Sequence, residues 1–488
     1  MKVKELLAGT RLNKSVAQLN ACGISFDSRS LKKNDLFFVR GGNNFDVFSA
    51  LVGVQTRCLC FVADKKDKLK ITQLNLKKTV IFVDNIQVAF EAAVDKFYGY
   101  EKDYFKVIAV TGTNGKTTIT HCIYSILRKL NVGAALLGTV AYFINDKKFS
   151  STHTTPDYLY LRKFLAECRR KKVRYIVIEV SSHAIAQQRV KGLNFVQCIF
   201  TNLTRDHLDY HKTMINYFKT KRKLFIDNPS ALKIINYDDK YGKKLSAEVK
   251  AGKTFSIGDD KSKAGFLASG IKFSRLGSSF VIKGENIGAA FETRLIGRHN
   301  LSNLVSAILS VSSLGYPIKK IAQIVSSYNG VSGRLEEVCP GIYVDYAHTP
   351  DALAAAILSL KQAGFAKVIT LFGCGGNRDK GKRLMMGEVS CKLSDFTIVT
   401  SDNPRWEDPE KICLQIVEGF KNKRYTIIVD RKNAIKKAIE KKRFKKDTAL
   451  LIAGKGHETY QIIGDKRIDF TDRDVVKSIC RAGRIVTD

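Results

Sequence analysis

A glycine-rich turn between an apolar run and an amphipathic segment constrains this chain more than any other feature. The apolar run covers residues 105–110, and the turn reads Thr-Gly-Thr-Asn-Gly-Lys-Thr-Thr over residues 111–118. Apolar residues then recur at helical spacing along one stripe. The stripe consists of Ile119, Cys122, Ile123, Ile126, Leu127 and Leu130. This order predicts a buried strand, a tight turn and a helix.

A strand, a glycine turn and a helix in this order form a phosphate-binding site in many proteins. Glycines let backbone N–H groups close on an anion, and the helix N-terminus adds partial positive charge. The pattern predicts that Lys116 reaches the β- and γ-phosphates of a nucleotide and that the Thr117 hydroxyl faces Mg²⁺. The strict pattern G-x-x-x-x-G-K-[ST] is not met, because Val110 occupies the position of its first glycine. The predicted ATP-binding residues of the turn are Gly112, Thr113, Asn114, Gly115, Lys116, Thr117 and Thr118.

Length and cysteine usage set the class of protein. A chain of 488 residues predicts about three domains. The 11 cysteines include no C-x-x-C pair, which predicts no disulfide framework and a reducing cytoplasm. Residues 1–13 lack the apolar region of a signal peptide, and no long apolar run follows them. We therefore expect a cytoplasmic protein without a membrane partner.

The net charge is high, with 82 Lys and Arg residues against 46 Asp and Glu residues, which gives +36. The basic residues are mostly dispersed, and no patch interleaves them with aromatic residues as a nucleic-acid surface would. We expect no nucleic-acid partner, and interpret the charge first as the product of a lysine-rich genome composition. Such a charge can in addition attract an anionic nucleotide. A nucleotide-dependent nucleic-acid-binding ATPase stays open as the alternative from another functional class.

Three stretches differ in their pattern of apolar runs, and they predict domains at residues 1–103, 104–331 and 332–488. The last stretch alternates strands with helices, which argues for a parallel sheet with helical crossovers and an α/β fold. Its predicted strands are residues 367–372, 396–400, 425–429 and 449–452, and its predicted helices include residues 409–420 and 433–441. Further strands are predicted at residues 175–180 and 196–200.

Polar clusters follow these strands at the end where parallel sheets bind ligands. Glu179 ends a strongly apolar strand, and together with Thr117 it supplies oxygen ligands that suit Mg²⁺. The run at 206–211, Asp-His-Leu-Asp-Tyr-His, offers further ligands. His207 is an unusual ligand for Mg²⁺, which prefers oxygen, and the spacing leaves its role open.

Motifs along the whole chain occur in the order found in one enzyme family. They are Asp27-Ser28-Arg29, the turn at 111–118, His153-Thr154-Thr155-Pro156, Glu179-Val180-Ser181-Ser182-His183, the segment 201–209, Gly297-Arg298-His299-Asn300, Gly333-Arg334-Leu335-Glu336, the segment 345–350, Asp402-Asn403-Pro404-Arg405 and the segment 454–458. On these motifs the sequence resembles the Mur ligases, and within them most closely the MurE branch.

The resemblance implies three domains: a small N-terminal α/β domain that binds a UDP-muramyl substrate, a central P-loop-type ATPase domain with a mainly parallel sheet, and a C-terminal Rossmann-like domain that binds an amino acid. It implies an ATP-dependent ligase of peptidoglycan synthesis, and so of cell-wall growth, cell shape and division. The ligase adds an amino acid to the D-Glu carboxylate of UDP-N-acetylmuramoyl-L-Ala-D-Glu through an acyl phosphate. Small-molecule substrates, Mg²⁺ and a monomer are expected.

The resemblance also implies roles for individual residues. Lys116, Glu179, His207 and Lys221 are the implied catalytic residues; Thr117, Glu179, His207 and a carbamylated Lys221 are the implied metal ligands. Lys219 and Lys223 lie beside Lys221, so that assignment depends on register alone. Adenine and ribose are expected to contact His299, Asn300, Arg334 and Asp345. The muramyl dipeptide is expected to contact Ser28, Thr154, Thr155, Ser181, Gln187 and Arg189. Contacts to uracil are expected around residues 41–46, where the sequence departs from the family pattern.

Within the family, Asp-Asn-Pro-Arg is typical of enzymes that add meso-diaminopimelate rather than L-lysine. Diaminopimelate has a second carboxylate, which Arg405 can bind with its two-pronged guanidinium group. The expected diaminopimelate-binding residues are Arg378, Asp402, Asn403, Pro404, Arg405, Gly454 and Glu458. An L-lysine-adding enzyme and folylpolyglutamate synthetase, another member of the superfamily, stay open as alternatives.

Overall fold

Short apolar runs near the N-terminus pair into a parallel sheet. A computed structural model of the chain describes residues 1–40, 47–250, 252–258, 263–285, 287–421, 424–442 and 445–482. The sheet has the order β1-β2-β3-β4. Its strands are β1 (Gly23–Ser25), β2 (Asp35–Phe38), β3 (Cys58–Asp64) and β4 (Val80–Val83). The helices around it are α1 (Val3–Leu6), α2 (Lys14–Ala17), α3 (Val47–Val54), α4 (Lys68–Thr72) and α5 (Ile86–Tyr98), with 3₁₀ turns at Lys65–Asp67 and Lys102–Tyr104.

This sheet belongs to a compact unit made of residues 1–105, 156–174 and 188–193. Helix α5 begins at Asn85, whose side chain accepts hydrogen bonds from two backbone N–H groups of the first turn. Phe90 of that helix is buried against the sheet and against Tyr158 of a later helix. The buried Arg162 guanidinium contacts Asp95 and the Tyr158 ring. Aromatic packing and an ion pair with a buried guanidinium group thus join the later helix to this unit.

A larger, mixed sheet follows in the second compact unit, with the order β15-β14-β13-β12-β11-β10-β5-β9-β6-β7-β8. Its strands are β5 (Lys106–Thr111), β6 (Ala134–Leu137), β7 (Tyr142–Ile144), β8 (Lys147–Phe149), β9 (Tyr175–Glu179), β10 (Phe195–Phe200), β11 (Leu232–Asn236), β12 (Lys253–Ile257), β13 (Phe266–Ser274), β14 (Gly277–Gly284) and β15 (Ile287–Thr293). The helices of this stretch of sequence are α6 (Lys116–Lys129), α7 (Tyr158–Arg170), α8 (Ser182–Ala186), α9 (Leu208–His211), α10 (Met214–Ile226), α11 (Lys240–Glu248), α12 (Arg298–Ser312) and α13 (Ile318–Ser326). Of these, α7 belongs to the first compact unit.

The predicted strand, turn and helix are confirmed as β5, the turn and α6. Strand β5 lies between β10 and β9, parallel to both, and is buried beyond its first residue. The predicted apolar stripe of α6 packs into the core of this sheet, with Leu130 at its margin. The apolar run and the stripe fix the turn between them at the carboxyl end of a central strand.

The last part of the chain forms a third sheet with the order β16-β17-β21-β18-β19-β20, parallel except at β16, and a separate hairpin. Its strands are β16 (Glu336–Cys339), β17 (Ile342–Asp345), β18 (Lys367–Phe372), β19 (Phe396–Val399), β20 (Tyr425–Ile427) and β21 (Thr448–Ala453), and the hairpin consists of β22 (Tyr460–Ile463) and β23 (Lys466–Asp469). The helices are α14 (Pro350–Gln362), α15 (Gly381–Leu393), α16 (Pro409–Val417), α17 (Arg431–Lys442) and α18 (Asp472–Ala482).

The predicted alternation of strand and helix is confirmed here, with shifted ends. Helix α16 ends at Val417 rather than at the predicted residue 420. Just beyond that end, Gly419 packs closely against α15. The three sheets fall within 1–103, 104–331 and 332–488, but the domain boundaries themselves stay predictions. Among the described residues, no helix has both the length and the apolarity to cross a membrane.

Candidate functional site

The glycine turn requires glycine at two positions. Gly112 has φ of 151° and Gly115 has φ of 89°, values that other residues rarely adopt. A Cβ atom on Gly112 would lie 1.8 Å from Thr201 Oγ1, and one on Gly115 would lie 2.2 Å from Asn303 Oδ1. Backbone shape and close neighbours therefore both exclude a side chain, as expected of a turn that wraps an anion with its N–H groups.

Lys116 is folded over this turn. Its Nζ donates to the carbonyl oxygens of Gly112 at 2.9 Å and Thr113 at 2.7 Å. Burial lowers the pKa of Lys116, while the carboxylates of Glu179 and Asp206 oppose that shift. The ammonium group is thus held at the turn, where a nucleotide phosphate would meet it.

Glu179 is the last residue of β9, and its carboxylate accepts hydrogen bonds from two threonines. Thr117 Oγ1 donates to Glu179 Oε2 at 3.1 Å. Thr139 donates from its backbone N to Oε1 and from its Oγ1 to Oε2, both at 2.9 Å. Thr139 Oγ1 also lies 3.0 Å from the hydroxyl of Thr154, and Arg334 Nη2 donates to Thr117 Oγ1 at 3.2 Å. A buried carboxylate and a hydroxyl beside a phosphate turn are oxygen donors that fit Mg²⁺.

The structure separates Lys221 from the lysines beside it. Lys219 and Lys223 are exposed, whereas Lys221 is buried, and its Nζ donates to Gly112 O at 2.9 Å and Thr111 Oγ1 at 3.3 Å. Burial, and then the charge of Lys116, lower the pKa of Lys221 well below its ordinary value. Lys221 is therefore an amine in the interior, in contact with the phosphate turn.

His207 lies beside Asp206 and a second histidine, His348. His207 Nε2 is 3.4 Å from Asp206 Oδ2, and His348 Nε2 is 3.9 Å from the same oxygen. Burial lowers the pKa of His207 to about 4; Asp206 opposes this shift and Lys116 adds to it. In the described part of the chain, no group of three or more His, Cys, Asp and Glu side chains is arranged to hold a metal ion.

A cavity of about 410 Å³ adjoins the turn. The predicted ATP-binding residues in its wall are Asn114, Gly115, Thr118, His299, Asn300, Arg334 and Asp345. The predicted residues Gly112, Thr113, Lys116 and Thr117 belong to the turn but not to the described wall of this cavity. Arg334 stacks over Tyr346 with its guanidinium carbon 4.5 Å from the ring centre.

Two of these residues also have structural contacts. His299 Nδ1 lies 3.0 Å from Ser359 Oγ, and burial lowers the pKa of His299 to about 4. Asp345 accepts the backbone N–H groups of Leu335 at 2.6 Å and Ala347 at 2.7 Å, one on each carboxylate oxygen. Asp345 therefore shapes the loops of the wall, a role that its motif did not indicate.

A second cavity, of about 990 Å³, brings together residues from three predicted sites. They are Thr154, His207, Arg378, Asp402, Asn403, Arg405, Gly454 and Glu458. Pro404 is buried and is not part of the described wall. One cavity thus combines residues predicted for the muramyl substrate, the metal and diaminopimelate.

Charged groups in the wall of this cavity hold one another in place. Asn403 Nδ2 donates to Glu458 Oε2 at 2.8 Å, and the buried Lys455 lies 3.0 Å from the same oxygen. Arg405 Nη1 donates to Gly376 O at 2.8 Å. Partial burial and then the charge of Arg378 lower the pKa of Arg405, and the nearby carboxylates oppose this. Two guanidinium groups in one wall can bind a carboxylate.

The other predicted muramyl contacts are described within their own units. In the second unit, Thr155 Oγ1 donates to Glu179 O at 2.7 Å, Ser181 caps α8, and Gln187 is exposed at the end of α8. In the first unit, Ser28 O accepts from Arg57 at 3.1 Å, and Arg189 is half-buried. The expected uracil contacts at 41–46 lie outside the described residues.

Several residues in the wall of the larger cavity were not assigned to a site from the sequence, although three of them lie in the motifs at 345–350 and 454–458. They are Tyr346, His348, Lys382, His457, Tyr460 and Arg467, together with Thr139. Thr139 follows β6 at its carboxyl end, and His348 and His457 lie in motifs that follow β17 and β21, so the rule on strand ends could have found them. Arg467 lies on a hairpin that no sequence motif marks.

Two family models match this chain: the Mur ligase middle domain at residues 110–311, and the Mur ligase glutamate ligase domain at residues 333–456. The chain is 38% identical to a UDP-N-acetylmuramoyl-L-alanyl-D-glutamate--2,6-diaminopimelate ligase of Clostridium tetani, covering 98% of this chain and 99% of that enzyme. It is 36% identical to an enzyme of that name, numbered 1, from Clostridium acetobutylicum, with 99% of each covered. A solved structure titled as the same kind of ligase has a TM-score of 0.66 and 28% identity, with 99% of each chain covered.

Proposed function

Because this chain belongs to the Mur ligase family, we propose that it uses ATP to add meso-diaminopimelate to the D-Glu carboxylate of UDP-N-acetylmuramoyl-L-Ala-D-Glu. The full-length similarity to enzymes named for this reaction supports the proposal. The observation that carries it is the 990 Å³ cavity, whose wall holds both Arg378 and Arg405 as well as Thr154 and His207. An amino-acid carboxylate and a reacting acyl group can therefore be bound in one cavity.

The chemistry needs an activated carboxylate, because a carboxylate ion is a poor acyl donor at neutral pH. An oxygen of the D-Glu carboxylate attacks the γ-phosphorus of ATP, the bond to the β-phosphate oxygen breaks, and ADP leaves. The amine of the incoming amino acid then attacks the acyl carbon, loses a proton, and expels inorganic phosphate. Lys116 lies at the turn where the phosphates would bind, so its positive charge offsets the repulsion between carboxylate and phosphate.

The residues present fit two Mg²⁺ ions. One ion would be held by Thr117 and Glu179. The second would be held by His207 and a carbamylated Lys221. When bound, Mg²⁺ supplies positive charge that stabilises the transferring phosphoryl group. The chain itself orients the ligand oxygens, because Thr139 fixes the Glu179 carboxylate through its backbone N–H and its hydroxyl.

Carbamylation of Lys221 is supported by its surroundings. The neutral amine is the form whose nitrogen attacks the carbon of CO₂, forming a carbamate and releasing a proton. Burial favours that neutral form, since it lowers the pKa of Lys221 well below the ordinary value. The exposed Lys219 and Lys223 lack this environment. The carbamate adds anionic oxygen, which suits Mg²⁺ better than an amine.

Selection of diaminopimelate over L-lysine is assigned to the arginines of the cavity. The distal end of diaminopimelate carries a carboxylate that Arg405 can bind, whereas L-lysine would leave the guanidinium group facing a hydrocarbon chain and an ammonium group. A site built for a polar group can reject a substrate that lacks it by about 10⁴-fold. We place the reaction in the cytoplasm because ATP and UDP-linked precursors are made there; a monomeric state and the lack of a nucleic-acid or membrane partner stay predictions.

Phosphate release tests the proposal directly. The protein is incubated with ATP, Mg²⁺ and UDP-N-acetylmuramoyl-L-Ala-D-Glu, and meso-diaminopimelate is compared with L-lysine. We expect release that depends on diaminopimelate, with a product whose mass corresponds to the condensed tripeptide. Release with L-lysine alone would support the proposed ligase activity but overturn the proposed selectivity for diaminopimelate. Release with neither amino acid would overturn the proposed substrate and favour another ligase of the superfamily, such as folylpolyglutamate synthetase.

A further inference from the structure

Two loops present the arginines of the larger cavity. The 375–378 loop follows β18 and carries Arg378, and the 403–407 loop follows β19 and carries Arg405. The loops touch closely: a Cβ atom on Gly376 would lie 1.9 Å from Pro404 O. Gly376 N donates to Asn403 O at 2.9 Å, and Arg405 Nη1 donates back to Gly376 O at 2.8 Å. The position of each arginine therefore depends on the packing of one loop on the other.

An ion pair behind the wall ties both loops to helix α15. Arg383 Nη1 lies 2.8 Å from Glu407 Oε2, and Arg383 Nη2 lies 3.0 Å from Glu407 Oε1. The same Nη2 donates to Gly375 O at 3.2 Å, and Glu407 Oε1 accepts the backbone N–H of Asn377. The Arg383 side chain is only 1% exposed. One bidentate pair thus holds the first loop through Gly375 and Asn377, and the second through Glu407 itself.

A further hydrogen bond closes the link between the loops. Trp406 N donates to Asn377 Oδ1 at 3.2 Å. Asn377 and Arg405 both have positive φ, at 52° and 54°, so each loop has a left-handed residue that its surroundings must stabilise. Neither Arg383 nor Glu407 belongs to the described wall of the cavity. Both therefore act on a substrate only through the loops that they hold.

We propose that Glu407 and Arg383 are positioning residues, which fix the guanidinium groups of Arg378 and Arg405 at the spacing that the carboxylate end of the incoming amino acid requires. This inference rests on the proposed function, since it assumes that the cavity binds an amino acid. A displacement of binding groups by about 1 Å can cost on the order of 100-fold in rate. Support of this kind behind a site is what keeps its geometry fixed.

Kinetics of the Glu407→Gln variant test the inference. The amide keeps the size of the side chain but replaces one acceptor oxygen with an NH₂ group. That NH₂ group would face another hydrogen-bond donor, either the Arg383 guanidinium group or the backbone N–H of Asn377. We expect the KM for diaminopimelate to rise on the order of tenfold or more, while the KM values for ATP and for the muramyl dipeptide change less than about twofold. Glu410→Gln is the matched control, because this exposed carboxylate lies on the first turn of α16, in the same segment.

A second variant keeps the test valid if Glu407→Gln does not fold. Asn377→Gly removes the oxygen that accepts from Trp406 N, and glycine adopts the positive φ at this position without strain. We expect a rise of several-fold in the KM for diaminopimelate alone. Unchanged KM values in both folded variants, or equal rises for all three substrates, would overturn the inference and leave the proposed function standing. A wild-type protein without diaminopimelate-dependent phosphate release would overturn both.

Discussion

Thr117 Oγ1 donates to Glu179 Oε2 at 3.1 Å although the two residues are 62 positions apart. Strand pairing brings them together, because β5 and β9 are parallel neighbours and Val110 pairs with Glu179 in their register. The phosphate turn begins at the end of β5, so the carboxylate at the end of β9 necessarily lies beside it. A hydroxyl and a carboxylate that are distant in sequence thus form one oxygen-rich site.

Lys116→Ala is expected to reduce phosphate release by about 100-fold or more, because the charge that faces the phosphates is lost. Circular dichroism should show an unchanged fold, since within the described part of the chain the ammonium group donates to carbonyl oxygens of its own turn alone. Lys129→Ala is the control, because Lys129 lies exposed at the other end of the same helix. Retained turnover in Lys116→Ala would remove Lys116 from the phosphate-binding role.

Arg405→Ala is expected to raise the KM for diaminopimelate by about 10- to 100-fold, which corresponds to the loss of a charge-assisted hydrogen bond. The KM for ATP should change far less, because Arg405 is in the wall of the larger cavity and is not among the described wall residues of the smaller one. Steady-state kinetics with each substrate varied in turn measure both constants. Equal effects on the two would make Arg405 a structural residue.

Trp406 fluorescence is expected to change when diaminopimelate binds. Trp406 is the one tryptophan of the chain, it follows Arg405 directly, and the residue is 69% exposed. A carboxylate bound by Arg405 would alter the field and the solvent around the indole. Titration with diaminopimelate and, separately, with L-lysine gives the comparison. No change at saturating diaminopimelate would argue against the assigned position of the amino acid.

Carbamylation of Lys221 should be visible by ¹³C NMR after the protein is equilibrated with ¹³C-bicarbonate. We expect a carbamate signal in the wild-type protein that is absent from Lys221→Arg, whose guanidinium group does not react with CO₂. Lys219→Arg and Lys223→Arg are matched controls, because these exposed lysines lie on the same helix. A signal that persists in Lys221→Arg would assign the modification to another lysine.

The contribution of Glu407 to stability should depend on pH. The hydrogen bond with Arg383 is the largest cause that lowers the pKa of Glu407 from 4.5 to about 2. A lowered pKa in the folded protein means that the ionised carboxylate stabilises the fold above pH 4.5, and that this stabilisation is lost as the pH falls toward about 2.

Urea unfolding of wild type and Glu407→Gln across this range measures the effect. We expect the free energy of unfolding to differ between the two at neutral pH and the difference to shrink on acidification. A difference that does not vary with pH, or one of equal size in Glu410→Gln, would contradict the assignment.

Local pattern was sufficient to predict the glycine turn and most strands, because apolar runs and glycine spacing are properties of neighbouring residues. The apolar stripe of α6 and the β18 strand are examples. The Arg383–Glu407 pair could not be predicted in this way, because Arg383 lies on α15 and Glu407 lies on the 403–407 loop, and the two meet only when the chain is folded.

The choice among three lysines shows the same limit. The sequence at 219–223 gives Lys219, Lys221 and Lys223 equal chemistry, and the spacing alone leaves their environments open. Only the packing of α10 buries Lys221 and exposes the other two. The structural role of Asp345 was missed for a related reason, since its hydrogen-bond partners are backbone groups that carry no sequence signature.

The left-handed backbone at Arg405 has a consequence for how such an enzyme can change over generations. A residue with a Cβ atom in this conformation costs about 1–2 kcal/mol, which glycine would avoid. A single substitution to glycine would relieve that strain and at the same time remove the guanidinium group from the cavity. On the proposed role of Arg405, relief of backbone strain and retention of the guanidinium group in the cavity therefore act in opposite directions on residue 405.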